Sequence, residues 1–593
     1  MQRNGESNGC WLWRDSLRRS VFAIVVALPF LCGFPSLTFS AVSEPSVHSI
    51  PSVPSVPSLH ADFTDKEYFD IVRSIDLFGE VYQEVSKSYV DKLNVSELMY
   101  AGIDGMLHTL DPYTVFLDEN DSDELNELTS GQYVGIGITI ASIDGTVFVT
   151  SVVEGYPAAK AGIKIGDRIT TVNGREIIKM PLDGVKTLLK GAAGTSFALR
   201  LERKGAPSFS ARLMREEVRV STVSYSGIVK GTGYIEMKSF GSHSSDDLRE
   251  AFLGLLRQAS EQHLPLKGIV LDLRSNPGGL LNVAIDVASL FVSKGSPVVS
   301  IRGRSPEMDK SYVTEREPIE AALPLAVLIN GQSASAAEIV AGAIQDLDRG
   351  IIIGERSYGK GLVQSVVKIS YNTALKLTTS KYYTPSGRLI QKEGHNAVRE
   401  SREVLPAAQK EKASQVFYTK GKRKVYGGGG IMPDIQLSDP VTSPYLLELN
   451  KRGLLFLFST DYCSTHPLMP PQPLDSRTLF VSFADFLQSR NFVYTSDSER
   501  KFIELKESMK KVQPEHSDSN LTCVTALQQE IDRLKGVEME KESSNIMHAL
   551  GVEILRHYDE RTSRKAELDH DPAVNKAIEV LSDSRNYSRI LHP

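Results

Sequence analysis

The chain has 593 residues, 41% hydrophobic and 24% charged, and 67 Lys and Arg against 73 Asp and Glu leave a formal net charge of −6. This composition excludes wholesale disorder, a collagen-like fibre and a polytopic membrane protein, and without a long Lys/Arg block it disfavours nucleic acid as a partner. At roughly 150 residues per domain the length suggests about four domains, and Cys10, Cys32, Cys463 and Cys523 form no CxxC pair for zinc or thioredoxin-like chemistry.

At the start, Arg14, Arg18 and Arg19 precede an apolar stretch from Val21 to Phe34, and the small residues Ser40 and Ala41 follow. This is the three-part pattern of a secretory signal over residues 1–41. The stretch has 14 residues and contains Pro29, whereas a membrane span needs about 20, which favours cleavage over anchoring. The mature protein is therefore expected in the periplasm or another extracytoplasmic space, near the inner membrane if the segment is retained. Leu17 and Val21 fit a twin-arginine signal poorly. Cleavage leaves Cys463 and Cys523 where a disulfide would persist, although nothing in the sequence says that they meet. Residues 42–60 repeat Ser-Val-Pro, with Pro45, Pro51, Pro54 and Pro57, and read as an extended linker. Within 61–130, Tyr68, Ile71, Val72, Ile75, Phe78, Val81, Tyr82 and Val85 share one helical face, and a second helix over Val95–Leu110 stops at Asp111-Pro112.

Residues 131–220 change to short β-branched runs, such as 137–140 and 146–149, divided by turns such as Asp144-Gly145. The stretch AAKAGIKIGDRITTVNG over 158–174 ends a short helix at a glycine and carries a hairpin turn at Asn173-Gly174. Together with the Gly135-Ile136-Gly137-Ile138 loop, it resembles a PDZ domain. That resemblance implies backbone amides converging on a peptide carboxylate and a strand edge that accepts an added β-strand. Residues 221–440 alternate strands (268–273, 325–329) with helical patterns (281–291, 335–345), as in an α/β core. Residues 441–593 break at Pro467, Pro470, Pro471 and Pro473 and continue as charge-laced helices over 499–512, 526–541 and 573–581, without chemistry of their own. The fold class expected is a multidomain α/β (α+β) chain with helical ends.

Three segments of the α/β region carry the chemistry. The first, LDLRSNPGGL over 271–280, is a strand ending in a two-glycine turn that can aim N–H groups into a site; the second, NGQSASAAEI over 330–339, brings small residues to a helix start. The third, GERSYGKGLVQ over 354–364, places a lysine between glycines and a glutamine four residues on. Each has an ordinary reading. Ser335 followed by Glu338 is a capping box, Lys360 a turn residue and Gly278-Gly279 a turn.

In this order, with Lys360 25 residues after Ser335, the segments resemble the C-terminal processing, or tail-specific, proteases. The likeness extends to the PDZ segment and to Leu-Asp-Pro at 110–112, and so covers about 61–440. It implies a serine-lysine dyad, with Ser335 as nucleophile, Lys360 as general base, Gln364 orienting the lysine, and an oxyanion hole from the amides of Ala336 and of Gly278 or Gly279. Many relatives read SASAS at the nucleophile where this chain has Ala337, a position without a catalytic role; Ser333 is a weaker rival nucleophile because its distance to Lys360 does not fit the family spacing.

The chemistry makes a demand on Lys360. To act as a base near neutral pH, its pKa must fall from about 10.4 to near 7, about 4–5 kcal/mol of differential interaction. An apolar pocket lined by residues such as Leu362, Val363, Val366 and Val367 is the expected cause. The reading is an exported serine endopeptidase that captures the free, apolar C-terminus of a protein or peptide and cuts near it. It calls for no cofactor and no metal, and a homodimer is the expected assembly. The alternative is a catalytically silent PDZ adaptor, and a lyase or another hydrolase is a remote third. The PDZ segment, placed between helical entry and core, is also expected to gate the cleft by hinge motion.

Overall fold

The central sheet has six strands in chain order, Val223–Val229, Thr232–Met237, Ile269–Asp272, Leu325–Ile329, Ile351–Gly354 and Ile435–Gln436; after the first, antiparallel pair every neighbour is parallel. The computed structural model that shows this describes residues 64–592 except 372, 393–414, 439, 441, 473 and 513–520, so the expected signal and linker lie outside the described residues. Because successive crossovers advance in one direction and such crossovers are right-handed, their helices fall on one face. Helices Ser244–Glu261, Leu281–Ser289 and Ala336–Asp346 accordingly share a buried cluster with Ile235, Leu271, Val327 and Ile352.

That arrangement leaves the opposite face, with Tyr234, Val270, Ala326, Leu328, Ile351 and Ile353, in need of cover. The last three helices, Glu560–Asp569, Pro572–Ser582 and Ser584–Leu591, supply it through Leu568, Val574, Ala577, Leu581 and Leu591. By packing, the end of the chain thus completes the α/β core, where the sequence placed it in a separate helical region. The residues before it, from Pro444 to Tyr558, form a helical bundle around Leu449, Phe458, Phe483 and Leu550.

A second sheet holds Val115–Leu117, Ala374–Tyr383, Pro297–Gly303 and Lys310–Val313, with Leu362–Lys368 also paired to Ala374–Tyr383. Its first strand comes from the segment expected to be wholly helical, and Val115 lies opposite Lys376. Upstream, helix Asp65–Ser88 starts with a Thr64/Glu67 capping box, and helix Val95–Leu107 is capped by Asn94. The second helix ends three residues before the expected Leu110, where Asp111 Oδ1 accepts the N–H groups of Tyr113 and Thr114, both at 2.8 Å, and turns the chain toward the sheet. In the apolar stripe of the first helix Val72, Ile75, Phe78, Val81 and Val85 are exposed, and Tyr68, Ile71 and Tyr82 are half-buried.

Residues 132–219 form their own sheet in the order Ile138–Ile143, Thr146–Val152, Arg168–Val172, Ser196–Glu202 and Phe209–Met214, with helix Leu182–Leu189 packed on it. Both expected hairpin turns have two residues in the left-handed region, Asp144 and Gly145 at φ 50° and 73° and Asn173 and Gly174 at 50° and 78°, the geometry of a type I′ turn. The chain enters this unit on Gln132–Gly135 and leaves on Glu216–Arg219, which pair antiparallel as a two-strand stem. The helical bundle docks on the unit: Phe148 meets Phe456 edge-on, Lys204 pairs with Asp461 at 2.5 Å, and Arg556 donates to the Thr150 carbonyl at 3.0 Å.

Candidate active site

Strands Ile269–Asp272 and Leu325–Ile329 are parallel neighbours, so the segments that leave their C-terminal ends come together, the usual place for a site in an open α/β sheet. The second strand leads to Ser335, the N-cap of helix Ala336–Asp346, with φ 55° in the left-handed region that a serine seldom adopts. Ser335 is fully buried, and its Oγ makes no hydrogen bond of acceptable geometry among the described residues. Only the Glu338 half of the expected capping box is a good hydrogen bond: Ser335 N–H donates to Glu338 Oε2 at 2.8 Å.

The first strand leads to the glycine turn. Gly278 packs so tightly against the serine that an added Cβ would lie 2.7 Å from Ala334 O, 2.8 Å from Ala336 N and 2.9 Å from Ser335 Cβ. Its N–H, however, donates to Asn276 Oδ1 at 2.8 Å. The Gly279 and Ala336 N–H groups make no hydrogen bond among the described residues. Of the two glycines expected to offer an amide, the second is the one with a donor to spare. Ser333 is occupied otherwise: its Oγ donates to Leu273 O at 2.8 Å and accepts Asn330 N–H at 2.9 Å, tying the two strand ends together.

Lys360 sits in the loop between strands Ile351–Gly354 and Leu362–Lys368, 2% exposed. Its Nζ donates to Gln364 Oε1 at 2.8 Å and lies 4.6 Å from the centre of the Tyr113 ring. Burial first, then the nearby Lys376 charge, push its pKa down to about 7, while Asp111 and Glu338 act in the opposite sense. Gln364 is held by its Nε2, which donates to Tyr113 O at 2.5 Å. Tyr382 O–H donates to the carbonyls of both Lys360 and Ser335, the latter at 3.1 Å.

Glu338, which the sequence marks as a helix cap, does more than cap. Its buried carboxylate accepts N–H from Ser335, Gly359 and Lys360 and O–H from Ser357. Burial pushes this carboxyl up to about 7 while the four donors pull it down. Tyr113, Lys376 and Tyr382 were also missed, since each reaches the site through tertiary pairing; the Leu-Asp-Pro signal just before Tyr113 was their one trace in the sequence.

The remaining expected binding residues lie in a separate sheet. Gly135 ends the stem strand, Ile136 is buried in the unit's core, Gly137 has φ 78° and would meet Tyr156 Cβ at 2.7 Å if it carried a Cβ, and Ile138 opens the edge strand. That strand pairs only with Thr146–Val152, so its other edge is unpaired among the described residues. Cys463 is a free thiol among the described residues, and the Cys523 side chain lies outside them. No cluster of His, Cys, Asp and Glu suited to a metal occurs among the described residues.

The chain is 35% identical over 408 residues, 67% of its length and 90% of the relative's, to a carboxy-terminal-processing protease of Bartonella bacilliformis. It belongs to the carboxy-terminal processing proteases of peptidase family S41. The S41 family model matches residues 231–397, a PDZ model 148–203, a model described as a probable PDZ-protease C-terminal helical domain 445–581, and one described as the activating protease CtpB N-terminal domain 55–121. The carboxy-terminal processing protease CtpA of Bacillus subtilis is 32% identical over 54% of this chain and 67% of that one. A solved photosystem II D1 C-terminal processing protease is 30% identical over 61% of this chain and 92% of its own, with a TM-score of 0.31. This processing protease is thus a serine peptidase with a PDZ domain, and the adaptor reading loses its ground.

Proposed function

We propose that the protein is an exported endopeptidase that cuts near the free C-terminus of protein substrates with a Ser335/Lys360 dyad. The observation that carries the reading is Lys360: a lysine buried beside the Ser335 helix terminus, with its pKa pushed to about 7, is a base matched to neutral pH. Neutral Lys360 Nζ takes the proton from Ser335 Oγ as the oxygen attacks the scissile carbonyl carbon. The developing oxyanion is met by the Gly279 and Ala336 N–H groups at the positive end of helix Ala336–Asp346. The lysinium then protonates the leaving amine, and water, deprotonated by the same lysine, hydrolyses the acyl-enzyme. Nζ rests on Gln364 Oε1 at 2.8 Å, so taking the Ser335 Oγ proton requires it to turn from that contact toward Oγ.

The Ile138–Ile143 edge, unpaired among the described residues, and the 135–138 loop support capture of a C-terminal strand, and the two-strand stem at 132–135 and 216–219 is the hinge on which such capture would act. Export rests on the signal pattern of residues 1–41. For the homodimer, helix Asp65–Ser88 buries none of its 24 residues, and an antiparallel copy would set its acidic first turn, Asp65 and Glu67, against Lys87 of the last; sedimentation as a monomer at micromolar concentration ends that part.

The test of the dyad is the product mass from an unstructured substrate with an apolar C-terminal residue. The unmodified protein should cleave, and Ser335→Ala and Lys360→Ala should not. Cleavage by both variants overturns the dyad.

A further inference from the structure

The glycine turn is fastened at its inner end to the serine segment. Ser275, at φ 56°, donates its N–H to Asn330 Oδ1 at 2.9 Å, Asn276 O accepts Ala334 N–H at 3.0 Å, and Asn276 Nδ2 donates to Met237 O at 2.8 Å. Its outer end is Arg274, whose guanidinium lies between two carboxylates. On one side Nε and Nη2 donate to Asp272, Nη2 at 2.6 Å; on the other Nη1 and Nη2 reach Asp571 at 3.3 and 2.7 Å. Asp272 ends strand Ile269–Asp272 and also accepts the Tyr234 O–H at 2.7 Å; burial would raise its carboxyl, but Arg274 and Tyr234 outweigh that and hold it below the ordinary value. Asp571 lies 297 residues beyond Arg274 and caps helix Pro572–Ser582, its Oδ1 accepting the N–H of Ala573 and Val574.

We propose that Asp571 is a positioning residue for peptide-bond cleavage, acting through Arg274 on the turn that aims the Gly279 N–H at the oxyanion. The inference rests on the reading of Gly279 as an oxyanion donor. A guanidinium is planar, and two carboxylates meeting it from different sides fix its plane as one could not. Only four residues separate Arg274 from Gly279, and Ser275 and Asn276 among them are tied to neighbouring segments, so rotation at Arg274 is passed along a short, constrained turn. A donor displaced by a fraction of an ångström loses much of its worth in the transition state and little in substrate binding. The last helices of the chain would then serve the chemistry as well as the core.

Asp571→Asn separates this from mere adhesion of the helix, because asparagine keeps the cap that Ala573 and Val574 use but lacks the charge that holds Arg274. In the full-length protein, on a short chromogenic peptide, kcat should fall roughly ten-fold with KM within about two-fold. A peptide aldehyde, which places an oxyanion on Ser335, should lose affinity by the same factor. In an Arg274→Gln background the second change should add nothing to the loss. If Arg274→Gln does not fold, the aldehyde measurement on Asp571→Asn alone decides. Unchanged kcat and aldehyde affinity, whether or not the melting temperature falls, overturn the proposal and leave Asp571 as a helix anchor. Cleavage by Ser335→Ala would instead overturn the dyad on which the inference stands, so the two failures are told apart.

Discussion

Glu338 holds Lys360 by its backbone: the Lys360 N–H donates to Glu338 Oε2 at 2.9 Å, and the same oxygen accepts the Ser335 N–H at 2.8 Å. One carboxylate therefore sets the spacing of two residues that lie 25 apart in the chain and on different loops. The other oxygen takes the Gly359 N–H and the Ser357 O–H. A carboxylate can accept all four, and no other side chain of this size can.

Glu338→Gln tests that argument. Its amide keeps one acceptor oxygen and turns an NH₂ toward two donors, leaving buried groups unsatisfied at about 1–3 kcal/mol each. Peptide cleavage should fall by roughly 10² or more, because Ser335 and Lys360 move apart, and the urea midpoint should drop. Activity within a few-fold of the unmodified protein would show that the pair is positioned by other means.

The acid limb of kcat/KM should lie near pH 7, because Lys360 must be neutral to act and its pKa is held at about 7. The Lys376 charge helps to depress it, so Lys376→Met should move the limb to higher pH and lower the rate at pH 7. Asp111 acts in the opposite sense, so Asp111→Asn should move it to lower pH. Shifts of roughly 0.5–1 on the pH scale are expected for charges at such range. Profiles that move together, or not at all, would mean that another group titrates.

Much of the core was legible in the sequence because its signals are local. Strand Leu325–Ile329 and helices Asp497–Val512 and Pro572–Ser582 appear within a few residues of the patterns that announced them. The left-handed turns at Asp144-Gly145 and Asn173-Gly174 followed from residue type alone. What was hidden is tertiary. Nothing in an alternating Ala-Val-Ile run tells which helix will cover a sheet face, so the role of residues 560–591 emerged only from packing. Tyr113 reaches Gln364 across 251 residues, and no periodicity encodes that pairing. Gly278 and Gly279 looked equivalent until the Asn276 side chain took the amide of the first.

The cover supplied by the last helices is open to a direct test. Ala577 is fully buried in the cluster it forms with Val270, Leu328 and Ile353. Ala577→Asp would put a carboxylate without a partner against the sheet and should cost about 3–5 kcal/mol. Reduced soluble yield and a lower melting temperature are expected. Stability like that of the unmodified protein would mean that these helices are not part of the cooperative core.

Lys360 should also weaken the fold that holds it, with a definite pH dependence. Below pH 7 the lysine is protonated in both folded and unfolded chains, and the folded state bears the full penalty, about 4–5 kcal/mol. From 7 upward the folded chain releases the proton while the unfolded chain, near 10.5, still holds it, so stability rises by about 1.4 kcal/mol per pH until the unfolded lysine titrates. Lys360→Met removes the titration and keeps an unbranched side chain of similar length. The variant should be inactive yet more stable than the unmodified protein at pH 7, and its advantage should shrink by about 2–3 kcal/mol by pH 9. Urea denaturation at the two pH values reads the difference. A constant gap between the two proteins would show that Lys360 is not carrying the depressed pKa on which the base chemistry depends.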